Sequence, residues 1–415
     1  MKAPSLGLFH IPTPMENIIL FDDDKWKALL PITFTRPISE IRIGILTIRE
    51  KWQHRVNCTV SHITQDYLAE KFPINISDNN LVINSRLLPN DNMEDLIVQL
   101  DMNEALLYDD QLVAARMDRK QFDKLVENQA LDELSGVDLA KEERYLHLIS
   151  NPYDILRENG VELRKDFKIL THHRNSEMIS YHTHPIAPEN IFIENGAEVL
   201  CSTLNASEGP IYIAKGSKIM EGSHLRGPVA VCEGAVVKMG ARIYKDTTIG
   251  PYSKVGGEIS SSILQGFSNK GHDGYLGNSY IGEWCNLGAD TNTSNLKNNY
   301  SEVKLWDYAS ESFQATGTQF CGTIMGDHSK TGINTMLNTG TVIGVSANIY
   351  GSGYPRNFIP SYSWGGSAGY KTYNVKKAIE VADIVTNRRS VRFMESDAII
   401  LEHIFHQTAK YRNWE

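Results

Sequence analysis

The sequence lacks the features that would place it in several broad classes. No stretch approaches about eighteen consecutive apolar residues, which excludes a helical membrane span. There is no C-x-x-C pair. The five cysteines (Cys58, Cys201, Cys232, Cys285, Cys321) are odd in number and widely spread, which reads as reduced thiols in a cytoplasmic protein and not as a disulfide framework or zinc site. Positive charge is in deficit, 41 Lys and Arg against 50 Asp and Glu for a net charge of −9. That balance argues against a general nucleic-acid binder, and an anionic substrate would need a local basic pocket. Residues 1–14 hold one lysine, three prolines and no apolar core, so they make a poor signal peptide and are expected to be a flexible extension. What remains is ordinary. A chain of 415 residues, 41% hydrophobic and 22% charged, has room for two or three domains with sizeable cores.

The strongest positive signal is an internal repeat. An aliphatic residue recurs every sixth position at Ile213, Ile219, Leu225, Val231, Val237, Ile243, Ile249 and Val255. Ile193 and Val199 precede it, and the frame returns at Ile281, Leu287, Met325, Thr331, Leu337, Ile343 and Ile349. A period of six fits neither a helix nor a simple strand. It fits a coil with three flat faces, each giving one inward aliphatic and then a corner residue such as glycine, asparagine or aspartate that tolerates positive φ. Coils of eighteen residues stack at about 4.8 Å, so a left-handed parallel β-helix is expected over residues 189–353. Two interruptions stand out. Ser260–Tyr280 is read as carrying an extra loop around Asn269–His272, and Asp290–Phe320 is a longer polar insert.

The apolar patterns elsewhere suggest a mixed α/β domain over residues 15–170. Strands are expected at Ile18–Phe21, Thr59–Ile63 and Leu81–Asn84, and helices at Ile45–Trp52 and Met93–Leu100. A hairpin is expected around Asp109-Asp110. Residues 171–188, rich in histidine and proline, read as a linker. Residues 354–415 read as a helical tail, with helices at Val375–Arg389 and Phe393–Tyr411.

One segment of the repeat carries a second pattern. Asn269-Lys270-Gly271-His272-Asp273-Gly274-Tyr275-Leu276-Gly277 is followed by Ile281-Gly282-Glu283-Trp284-Cys285-Asn286-Leu287-Gly288-Ala289-Asp290-Thr291. This resembles the acetyltransferase half of the bifunctional N-acetylglucosamine-1-phosphate uridylyltransferase / glucosamine-1-phosphate acetyltransferase family, whose pattern is close to K-x-G-H-x-x-Y-x-G and then I-G-x-x-x-N-x-G-A-x-T. The resemblance implies acetyl transfer from acetyl-CoA to an amino sugar 1-phosphate. His272 falls on the family's general base, which takes a proton from the attacking nitrogen. Tyr275, Asn286 and Asn295 fall on sugar-binding positions, and Ala289 falls where acetyl-CoA and substrate are contacted. Lys238 sits where a phosphate-binding arginine is expected, as a point charge without the bidentate fork. The family's asparagine-tyrosine pair is Asn295-Leu296 here. A second phosphate-binding lysine has no clear counterpart, and Lys297 or Lys304 are the substitutes at hand. From composition alone, His272 reads first as a turn histidine in a glycine-rich loop, satisfied by solvent; the matched spacing to Tyr275 and Asn286 reverses that preference.

The N-terminal half is similar to sugar-1-phosphate nucleotidylyltransferases. Leu30-Pro31-Ile32-Thr33 and Arg36-Pro37 keep pieces of that family's opening motif, but the phosphate loop contains no glycine. Where the family has a metal-binding Gly-Asp, this chain has Leu81–Arg86. The resemblance implies an α/β nucleotidyltransferase-like, Rossmann-like domain that joins a sugar phosphate to a nucleoside triphosphate. Lys25 and Arg36 would be nucleotide-binding, and Asp22 and Asp23 would hold Mg2+. An acidic loop after a buried strand is the bland alternative. The implied partners are an amino sugar 1-phosphate and a nucleoside triphosphate in a cytoplasmic homotrimer, with sites shared between protomers and no nucleic acid or membrane. Two rival readings stand beside this one. The first is a non-catalytic sugar-nucleotide-binding trimeric scaffold. The second is a zinc enzyme of the β-helix carbonic anhydrase type on His224, His272 and His328. The cluster His172, His173, His182 and His184 reads as solvated linker and not as a metal site.

Overall fold

The computed structural model describes residues 17–56, 58–126, 135–139 and 146–414, so the expected extension at residues 1–14 lies outside the described residues. Six strands build the N-terminal sheet: β1 (Asn17–Phe21), β2 (Thr59–Ile63), β3 (Asn79–Asn84), β4 (Glu104–Tyr108), β5 (Gln111–Asp118) and β6 (Ser135–Asp138). Their order is β2-β1-β3-β5-β4-β6. The strands β2, β1 and β3 run parallel, and β5 is antiparallel to both its neighbours. The expected hairpin is present, with Asp109 and Asp110 at φ 51° and 58°, as a two-residue turn of matching twist requires. Helices α1 (Ile48–Val56), α2 (Asp66–Ala69), α3 (Asp91–Val98) and α4 (Arg119–Val126) complete this layer. The helix expected from Ile45 starts three residues later, because the N–H groups of Ile45 and Leu46 donate to Asp166 instead.

A twenty-residue helix, α5 (Pro152–Thr171), stands where the apolar pattern points to no element. Its start obeys familiar rules: Asn151 and Asp154 form a capping box, and Pro152 occupies the first turn. Its buried face includes Asp154, Asn159, Glu162 and Asp166, so an apolar stripe is a poor guide to it. These polar groups tie α5 to both halves. Asn159 accepts from the N–H of Gly44 at 2.7 Å and donates to the carbonyl of Asp246 at 2.8 Å. Buried Lys51 pairs with Glu162 at 2.8 Å and Asp166 at 2.5 Å. Gly160 is required here, because a Cβ would collide with the Asp246 carboxylate.

From His184 the chain winds into a parallel solenoid with three faces. The first face has nine strands from Ile191–Ile193 to Phe358–Ile359. The second has nine parallel strands from Glu198–Val199 to Ser363–Gly366, with Gly369–Thr372 added antiparallel at its edge. The third has six from His184–Ile186 to Tyr275–Gly277, and a further pair, Asn292–Thr293 and Met336–Leu337, lies beyond them. The eight hexad aliphatics from Ile213 to Val255 all point inward, each at most 1% exposed. In the regular part Val229 pairs with Thr247 eighteen residues on. Thr248 pairs with Ile263 only fifteen on, so Ser260–Tyr280 holds not an added loop but coils shorter than the repeat. The longer insert folds as an antiparallel hairpin, Lys304–Asp307 with Ser312–Ala315. A further coil, with strands at Phe358–Ile359 and Ser363–Gly366, follows Tyr354. Helices α6 (Val375–Asn387) and α7 (Glu395–Gln407) form the tail.

The first face packs against the N-terminal half. Thr248 donates to the carbonyl of Gly44 at 2.8 Å, and the N–H of Arg42 donates to Gln265 at 2.8 Å. One buried cluster runs through Ile18, Trp52 and Ile155, on to Ile263, Tyr280 and Ile324 of the solenoid, and into Ile400 and Ile404 of α7. Among the described residues no helix is long and apolar enough to cross a membrane.

Candidate active site

The corner between the second and third faces carries the pattern around His272. Strand Asn269–Lys270 lies on the second face and Tyr275–Gly277 on the third, with a tight turn between them. Lys270 is 2% exposed and its ammonium donates inward to three carbonyls: His272 at 2.7 Å, Gly256 at 3.2 Å and Asp273 at 3.3 Å. Burial lowers its pKa to about 8, against the opposing pull of Asp273 and Asp290. Gly274 sits at φ 114°, and a side chain there would strike the Thr291 carbonyl. The turn is therefore held from inside, while the His272 ring is exposed and has no hydrogen-bond partner among the described residues.

Neighbouring coils bring several expected residues to this corner. The N–H of Tyr275 donates to Asn292 at 2.8 Å, and the phenol oxygen of Tyr275 accepts from Asn295 at 3.0 Å. Asn295 also donates to Asn278 at 2.7 Å. Asn286 is exposed one coil beyond Asn269, which donates to it at 2.9 Å. Ala289 follows at the next corner, its carbonyl accepting from the N–H of Asn334 at 2.8 Å. Lys238 ends its second-face strand two coils before Gly271, in the same column, and its ammonium has no partner among the described residues. Lys304 is placed elsewhere. It lines an open groove of about 600 Å³ with Lys297, Phe313 and Arg356, whose walls do not include His272, Tyr275 or Asn286.

One pair at this corner escapes the sequence reading. Arg242 and Glu258 stand in register with Tyr275 on the third face and approach each other at 3.4 Å. The available signal was the hexad frame itself, since Arg242 and Glu258 each precede an inward isoleucine. The zinc reading loses its geometry: His224 lies on the third face, His272 at the second–third corner and His328 at the first–second corner. No cluster of three metal-ligating side chains occurs among the described residues, at these histidines or in the 172–184 segment.

The loop after β1 is organised differently. Asp23 accepts from Arg86 at 2.8 Å and from Asn84 at 2.9 Å. Asp22 accepts from Thr64 at 2.8 Å and the N–H of Ile38 at 3.1 Å, and burial raises its carboxyl to about 6. A carboxylate tied to a guanidinium and a neighbour biased toward the protonated form do not fit a divalent cation, so no step is derived through Mg2+. Arg36 is 4% exposed and paired with Asp327 and Glu283 of the solenoid, which removes it from any open phosphate site. Lys25 is exposed, with only its backbone N–H bonded, to Asp23.

Residues 18–175 match the family model described as sugar nucleotidyl transferase. A bifunctional GlmU protein of Methanocaldococcus jannaschii is 33% identical over 118 residues, 28% of this chain and 26% of the relative. Stretches of the chain are thus similar to bifunctional GlmU proteins. A bifunctional sugar-1-phosphate nucleotidylyltransferase/acetyltransferase of Sulfurisphaera tokodaii is 33% identical over 146 residues, 30% of this chain and 36% of that one. The GlmU protein of Rippkaea orientalis is 26% identical over 211 residues, 44% and 42% of the two chains. The matched stretches thus span under half the length of each GlmU-type relative.

Proposed function

We propose that this GlmU-like chain is a bifunctional transferase of amino-sugar nucleotide synthesis, with acetyl transfer at the second–third corner of the solenoid. The exposed, unpartnered imidazole of His272, on a turn pinned from inside by Lys270, carries this reading. A buried structural histidine would have its ring nitrogens satisfied. In the proposed step the amine nitrogen of an amino sugar 1-phosphate attacks the thioester carbon of acetyl-CoA. The C–N bond forms as His272 takes the ammonium proton. The C–S bond then breaks, and the thiolate leaves and is protonated. Tyr275, Asn286 and Asn295 orient the sugar, Lys238 faces its phosphate, and Ala289 adjoins the acetyl-CoA groove. In a homotrimer the neighbouring protomer covers the ring, as hexapeptide coils stacked side by side allow. The reaction belongs in the cytoplasm, where acetyl-CoA and nucleoside triphosphates are available.

The nucleotidyl transfer of the N-terminal half is supported by the family match over residues 18–175, with Lys25 free to meet a phosphate. Coenzyme A release from acetyl-CoA and glucosamine 1-phosphate tests the acetyl transfer, and equal rates for wild type and His272→Ala overturn it. Pyrophosphate release by the full chain, given N-acetylglucosamine 1-phosphate and each nucleoside triphosphate in turn, tests the second activity. Zero release with all four would remove it.

A further inference from the structure

A cavity of about 340 Å³ lies where the N-terminal half, the solenoid and the α6–α7 connection meet. Its apolar walls come from Phe72, Phe267, Trp284 and Phe393. Phe267 and Trp284 stack at 4.3 Å along the first–second corner, with His328 beyond at 6.4 Å. Its polar groups are incompletely used. Arg36 is nearly inaccessible, yet its Nε has no partner, and neither has His328 Nδ1. Glu283 offers Arg36 only Oε2, at 3.5 Å, and its Oε1 accepts no hydrogen bond among the described residues. Asp327, in contrast, is filled by the N–H of Glu283 at 2.8 Å, Thr35 at 2.8 Å and Arg36. Two buried nitrogens without partners, Arg36 Nε and His328 Nδ1, are costly at one site unless something satisfies them.

The charge balance narrows the occupant. Burial holds the His328 ring neutral, with its pKa at about 3. Lys71 is cancelled by Asp397 at 2.7 Å, and Glu40 by Arg49. Arg392, also on the lining, is solvent-exposed, where water screens its charge. Around Arg36 one guanidinium faces two carboxylates, the buried Asp327 and the half-buried Glu283, a local surplus of one negative charge. Such a site favours a cation over a phosphate. A guanidinium N–H and a free carboxylate oxygen side by side suit hydroxyl groups, which accept from one and donate to the other. We propose that this cavity binds a hexosamine with a free amine: hydroxyls meet Arg36 and His328, the ammonium meets Glu283, and the aromatic walls cover the ring. The site is separate from the His272 corner and does not rest on the acetyl-transfer reading. Phe267 and His272 do flank the same two-residue strand, Asn269–Lys270, so an occupant here adjoins the turn that Lys270 pins.

Titration calorimetry of the full chain with D-glucosamine tests the proposal. Saturable binding is expected, with N-acetylglucosamine weaker by about tenfold or more, because it lacks the charge for Glu283. Glu283→Gln removes that charge and Val391→Trp fills the cavity with bulk; each should weaken glucosamine about tenfold. A readout on the unaltered chain covers the case of variants that do not fold: hydrogen exchange with glucosamine should slow at residues 263–267 and 388–394. Absence of saturable binding, equal affinity for the two sugars, or protection confined to residues 270–276 would each overturn it.

Discussion

The loop after β1 and the turn at His272 both carry titratable side chains within motifs that point to chemistry, yet the molecule treats them in opposite ways. Around β1 the charges are consumed by the protein: Asp23 by Arg86, and Arg36 by Asp327 and Glu283. At the solenoid corner the one buried charge, Lys270, faces inward onto backbone, and the exposed His272 and half-buried Lys238 are left open. Groups that serve folding are paired with one another. Groups kept for a ligand are exposed but held by a framework that is itself satisfied.

Substitutions can break this contrast. The largest effect is expected for His272→Ala, a loss of about 10²–10⁴-fold in coenzyme A release with an unchanged melting temperature. A drop in melting temperature with full activity would reverse the assignment. Arg36→Met should behave the other way, costing about 3–5 kcal/mol in urea unfolding because Asp327 is left as an unpaired buried charge. An unaltered urea midpoint would mean that the Arg36–Asp327 pair adds nothing to the stability of the fold. Asn295→Ala removes the donor to the Tyr275 phenol and should cost about 1 kcal/mol of substrate affinity, read as a higher KM at similar kcat.

The smallest change is expected in pH dependence. The folded chain keeps His328 neutral down to about pH 3, whereas the unfolded chain protonates it near the ordinary histidine value of 6.5. Between those values the unfolded state holds the extra proton, so stability falls as pH falls from 6.5 toward 3. His328→Gln should flatten that part of the stability curve, though solvent reaches the half-buried ring and tempers the effect. An unchanged slope would mean that His328 is charged in the fold.

The solenoid was legible because its inward positions repeat under a constraint that every coil shares, and Ile213 to Val255 show it without a break. The frame failed where a coil loses three residues, between Thr248 and Ile263, because a fixed period cannot follow a change in perimeter. Helix α5 was hidden for a different reason: its inner face mixes Ile155, Leu156 and Leu163 with polar groups, and Asn159, Glu162 and Asp166 make sense only opposite Gly44, Lys51 and Asp246. The corner around His272 was readable as a motif, whereas the Arg242–Glu258 pair depends on register between coils. The engagement of Arg36 was invisible for the same reason, its partner lying 291 positions away.

The fastening of α5 and the Arg42–Gln265 contact has a consequence for traffic between the halves. Bonds joining Gly44 to Thr248, Asn159 to Asp246, and both Glu40 and Arg42 to Gln265 cross the same seam, so the two halves are fastened to each other at several points. On the proposed function, a product formed at the solenoid corner would reach the N-terminal half through solvent, by diffusion, and not on a moving arm.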